Sequence, residues 1–170
     1  MNKQTDTLDA GPRGVAAQSL PARLLLGFLA GSLSVLIFSS GAIAILHAAG
    51  LVALVPWDTS PVAPFGVPQI VSAAFWGGLW GGLYALLEPR LTGRLGWWLG
   101  GLLFGAVLPV LVVWFVVLPL KGAPVGGGFE LPMVLVVLFL HAVFGLGAAI
   151  VFRIGRPLAG RRLRPLPSAD

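Results

Sequence analysis

The 170-residue chain contains no cysteine, which removes disulfides, thiolate metal sites, thiol redox chemistry and cysteine nucleophiles together. Charge is nearly as scarce: 10% of the residues are Asp, Glu, Lys or Arg, against about 25% in an ordinary soluble domain. So few ionised groups cannot cover a globule in water. None of the six carboxylates falls inside an apolar run, since Glu88 and Glu130 stand at run ends and Asp58 in a connection, which argues against a carboxylate-based proton pump. G-x-S-x-G, H-E-x-x-H, a phosphate-binding glycine loop and a His/Asp cluster are all missing, so no catalytic residue, metal ligand or cofactor site is assigned.

What the chain has in quantity is apolar length: 57% of its residues are hydrophobic and the mean hydropathy is +0.94. Charge-free runs extend from Leu24 to Trp57, Thr59 to Leu87, Leu95 to Leu120 and Leu131 to Phe152. Each exceeds the roughly 20 residues needed to cross a hydrocarbon core. Trimmed at prolines and polar edges, they predict helices at 24–46, 69–88, 96–119 and 131–152, an all-α four-transmembrane-helix bundle over 23–153. Residues 1–22, without apolar periodicity, read as a disordered cytoplasmic tail, and 154–170 as a basic one. The first run is longer than the apolar segment of a signal peptide and reads as a retained helix.

Basic residues are distributed unequally. Lys3, Arg13 and Arg23 precede the first helix, Arg90 and Arg94 lie between the second and third, and five arginines from Arg153 to Arg164 follow the fourth. The other two connections hold Lys121 alone. Positive charge is retained on the cytoplasmic side, so both termini are expected there. The net charge of +5 is therefore matched to anionic lipid headgroups, chiefly at the basic C-terminal tail, and no nucleic-acid partner is expected. The connection from Gly50 to Pro68, with prolines at 56, 61, 64 and 68, reads either as a tight linker or as an ordered cap at the interface.

Lipid offers no hydrophobic drive for helices to associate, so small residues must let backbones approach. Gly27 and Gly31, Gly77 and Gly81, Gly101 and Gly105, and Gly145 are the packing candidates. Ala73, Gly77, Gly81 and Ala85 form one ridge, and Ala74, Gly78 and Gly82 another, so the second helix is expected to be gripped from two sides. Sliding the chain by 64 residues matches Phe65 with Phe129, Pro68 with Pro132, Phe75 with Phe139, Gly81 with Gly145 and Ala85 with Ala149. Two tandem hairpins related by a parallel repeat would explain this pattern.

Trp76, Trp80 and Tyr84 recur every four residues and lead to Glu88; such a stripe serves either packing or a pocket wall. His47 and His141 are the histidines of the spans. At 1.5 Å per residue they differ in depth by about 18 Å, too far apart to share a haem iron. His141 lies near mid-bilayer, level with Ser34 and with Gly105, whose carbonyl loses its helical partner to Pro109. A polar cluster of His141, Ser34 and Gly105 follows, with the imidazole bonding the serine or the freed carbonyl.

Pro64-Phe65-Gly66-Val67-Pro68, Phe75-Trp76-Gly77-Gly78-Leu79-Trp80-Gly81, Leu118-Pro119-Leu120-Lys121-Gly122 and Gly145-Leu146-Gly147 resemble a family of small, uncharacterised four-span integral membrane proteins of proteobacteria, over about Arg23 to Arg153. The resemblance implies a bacterial inner membrane and carries over no catalytic residues. The expected function is that of a non-enzymatic membrane protein, a homo-oligomer or an accessory subunit of a membrane complex. A small-solute or ion transporter or channel with a mid-membrane site around His141 is the alternative.

Overall fold

A computed structural model describes residues 19–161, with side chains through residue 156. Residues 20–22 and 154–161, expected as parts of the tails at 1–22 and 154–170, are helical; residues 1–18 and 162–170, with the headgroup contacts assigned to the C-terminal tail, lie outside the described residues. Four helices among those described are long and apolar enough to cross a membrane: α1 (Leu20–Ala48), α2 (Gln69–Leu95), α3 (Trp97–Leu120) and α4 (Leu131–Arg161). They form a ring in which each packs on the helices before and after it in chain order, with α4 closing onto α1. The chain is an all-α four-helix bundle. Its outward faces carry Leu25, Leu29, Leu83 and Phe139, among many exposed apolar side chains that suit a lipid solvent.

Close backbone approach sets the two main crossings. A Cβ on Gly31 would meet the Gly77 carbonyl, and one on Gly81 would meet the Gly27 carbonyl and the Gly31 backbone. In the second hairpin, a Cβ on Gly105 would meet the His141 carbonyl, and one on Gly145 the Gly101 carbonyl and the Gly105 backbone. The α1 glycines lie 74 residues before their α3 counterparts, and Gly81 lies 64 before Gly145, so both hairpins close through equivalent positions. His141 occupies in the second hairpin the place of Gly77 in the first.

Both ridges of α2 face α1, contrary to the expected two-sided grip. Gly78 abuts Phe28 and Ser32, and the Ser32 hydroxyl donates to the Ala74 carbonyl at 3.0 Å. The face toward α3 is aromatic instead, with Trp80 and Tyr84 edge-on to Phe104 at 6.4 and 5.2 Å between ring centroids. Aromatic bulk fills the interhelical space that glycines would leave open there.

α2 runs seven residues past Glu88, where the apolar run ends, because Pro89 is accommodated inside it. Proline has no N–H for the carbonyl four residues back. That carbonyl, Ala85, accepts from Arg23 Nε at 2.7 Å. A single residue, Gly96, then joins α2 to α3 at φ 77°, a left-handed conformation that glycine adopts without a Cβ clash. Two stretches widen to π-helical geometry, Ser34–Ser39 in α1 and Val113–Val117 in α3. The first is stapled by the Ser40 hydroxyl bonding the Val35 carbonyl at 3.0 Å.

The α1–α2 connection is ordered. A short antiparallel hairpin pairs β1 (Pro61–Val62) with β2 (Val67–Pro68). The first amides of α2 are satisfied by loop carbonyls: Gln69 N–H donates to Ser60 and Ile70 N–H to Asp58. The indole N–H of Trp57 reaches the Leu36 carbonyl at 2.8 Å. Leu36 lies twelve residues before the end of α1, so the connection folds back about 18 Å along the helix instead of lying across its end.

Candidate functional site

Beside the π-helical stretches of α1 and α3, a cavity of about 370 Å³ opens in the half of the bundle nearer the folded-back loop. Its floor is Gly77, Trp80, Pro109 and Phe144, one residue or pair from three helices. Trp76 of α2 and Val113 of α3 line its sides, and Leu54, Trp57 and Asp58 line it from the loop. The walls are mostly apolar, with a few separated polar groups, the usual composition of a small-molecule site.

His141 lines this cavity but does not make the expected contacts. Its Nδ1 lies 2.8 Å from the Val137 carbonyl on its own helix. A carbonyl only accepts, so Nδ1 carries the proton and Nε2 is the ring's acceptor. Ser34, fully buried, donates instead to the Phe144 carbonyl at 2.6 Å, tying α1 to α4. Gly105 meets the His141 backbone and not the imidazole. The cluster of His141, Ser34 and Gly105 is thus corrected to three neighbouring packing positions, of which His141 alone lines the cavity. The imidazole takes the nearest carbonyl, one turn away in its own helix, because that bond needs no exact interhelical approach.

Asp58 carries the one formal charge among the described residues that line the cavity. The Ser60 hydroxyl and amide hold its carboxyl below the ordinary aspartate value, the amide at 2.8 Å, so it remains ionised across the neutral range. His47 is exposed near the end of α1 and lies apart from the cavity. No group of three or more potential metal-ligating side chains occurs among the described residues.

Below the cavity floor the core turns wholly apolar around Tyr84, Phe104 and Phe152. The hydroxyls of Ser32, Ser34 and Ser40 each donate to a backbone carbonyl, which commits their protons within the helices. At the far end, beyond the aromatic plug, Glu88 is 9% exposed and bonds two arginines at 2.9 Å each, Arg23 through one oxygen and Arg156 through the other. Both guanidinium groups also lie 5.9 Å from the centre of the Phe152 ring. Glu88 is therefore a buried residue within α2, not the polar end of the helix expected at 69–88. The clue available in the sequence was Pro89, whose freed carbonyl needs an external donor.

No protein-family model, curated protein or solved structure matches this chain.

Proposed function

We propose that this chain is a non-enzymatic, multi-pass protein of the bacterial inner membrane that binds a small, largely apolar ligand in the cavity beside His141. The observation that carries the reading is the cavity itself: its volume falls in the range of ligand sites, and its polar groups are few and fixed. The aromatic plug beneath it and the engaged serines favour a blind pocket over a permeation path. His141 Nε2 then accepts a hydrogen bond from the ligand, and Trp76 and Trp80 present flat apolar walls.

Native mass spectrometry of the protein released from lipid nanodiscs tests this. The wild type should retain a non-protein mass that Val113→Trp, which fills the cavity from α3, does not. Equal retention by both, or by neither, counts against a ligand site.

The same reading places the cavity toward the outer compartment, because the basic residues cluster at the opposite end. Reporter fusions after residues 60 and 125 should register outside and one after residue 92 inside. The reverse pattern would point the cavity into the cytoplasm. A second reading, as an oligomer or an accessory subunit, draws on a groove of about 440 Å³ between α1 and α2 lined by Leu24, Phe28, Gly82 and Leu83.

A further inference from the structure

The chemistry of the cavity wall says which ligands it takes. Trp57, Trp76 and Trp80 line it, and the electron-rich faces of indole rings attract cations more strongly than any other side-chain ring. Asp58 adds a full negative charge at the loop side, while among the described residues no lysine or arginine lines the wall. The neutral tautomer of His141 adds an acceptor and no charge. The formal charge and the ring faces of the wall therefore favour a cation, although Asp58 stands on the solvent side, where its attraction acts through water and is screened by salt, and the first turn of α2 at Gln69 and Ile70 adds a weak opposing dipole. Arg23 and Arg156 are engaged with Glu88 at the far end and Arg153 lies over the Trp97 ring, while Lys121, exposed just past α3, does not line the cavity.

Resting on the ligand-site reading above, we propose that the cavity selects lipophilic organic cations, an ammonium or similar onium centre carrying an apolar body. The cationic centre sits among the indoles within reach of the Asp58 field, and the apolar body fills the space between Val113, Leu140 and Phe144. A neutral molecule of the same shape gains only the apolar contact, and an anion is repelled.

Tetraphenylphosphonium and tetraphenylborate have nearly the same size and shape with opposite charge, so they separate shape from sign. Binding of each to the full chain in a neutral detergent is followed by calorimetry and by quenching of tryptophan fluorescence. The cation should bind saturably to the wild type and the anion should not. Asp58→Asn keeps an oxygen to accept from the Ser60 amide, so the loop turn is retained, yet it should weaken cation binding about three- to tenfold and remove its salt dependence. Trp76→Leu should weaken it about fivefold. Val113→Trp, or Ile70→Trp where the first does not purify as a single species, should abolish it.

If the anion binds as tightly as the cation, or if Asp58→Asn leaves the cation's affinity unchanged, selection by charge is overturned while the ligand site stands. If both ions bind and neither tryptophan insertion affects them, they bind outside the cavity, and the inference falls while the ligand-site reading is left to the mass measurement. Absence of saturable cation binding by the wild type overturns the inference alone, since the mass measurement on nanodiscs decides separately whether the cavity holds anything.

Discussion

Replacing Gly81 with leucine should eliminate recovery of folded protein from detergent-solubilised membranes, whereas Gly82→Leu one position along should be recovered with a melting temperature close to that of the wild type. At Gly81 any Cβ would run into the Gly27 carbonyl and the Gly31 amide and Cα, all backbone atoms of α1. Backbone cannot rotate aside as a side chain can. The helices must separate, and the ladder of contacts from Gly27 to Val35 loosens with them. The penalty should exceed about 3 kcal/mol, the upper part of the range for overpacked interiors. At Gly82 the nearest outside atom is the Leu24 carbonyl at 3.9 Å, ordinary contact distance, and a leucine there extends into the open groove between α1 and α2. Size-exclusion profiles and thermal unfolding of the pair check the contrast. Equal behaviour of the two variants would remove the glycine crossing as the determinant of the first hairpin.

Glu88→Leu should be the second most damaging change, at about 2–4 kcal/mol by thermal or denaturant unfolding. Removing one partner from a buried ion pair leaves a desolvated charge behind, and here it leaves two guanidinium groups facing each other. The figure is set below that for a fully sealed pair because Arg156 is about half exposed and can turn to water. Arg156→Leu alone should therefore cost about 1 kcal/mol or less. Arg23→Leu should cost more, since it also leaves the Ala85 carbonyl without a donor beneath Pro89. The double change Glu88→Leu with Arg23→Leu should be less harmful than the sum of the singles, and strict additivity would mean that the pair contributes nothing as a pair.

The bundle was legible in the sequence to the degree that it follows from lipid as solvent. Apolar runs of sufficient length must be helices, because no other open structure satisfies its backbone in hydrocarbon. Gly27, Gly31, Gly81, Gly101, Gly105 and Gly145 could be read from four-residue spacing, since a small residue repeated on one face has a use only where another backbone approaches. The face that each ridge presents was not legible: spacing alone cannot say that Ala74, Gly78 and Gly82 also turn toward α1, for that depends on the bulk of Phe28. The end of α2 was misplaced because proline and charge usually terminate an apolar helix, and only a donor 62 residues away in sequence lets Ala85 do without the Pro89 amide. The cavity needed the tertiary structure altogether. It arises where the π-helical stretches and the returning loop meet, and neither has a composition that separates it from ordinary apolar helix or proline-rich linker.

The clasp at Glu88 also has an order in time. Membrane helices are made from the N-terminal end, so α1 enters with Arg23 unmatched, and its carboxylate partner is synthesised 65 residues later at the base of α2. Once that hairpin has formed, Glu88 still has one oxygen to offer, and Arg156 arrives to take it after a further 68 residues, when α4 completes the ring. The last helix to be inserted thus finds a charge-bearing latch already assembled by the first two. A chain halted after α3 would lack the cation that Glu88 holds through its second oxygen, leaving that carboxylate edge unmatched.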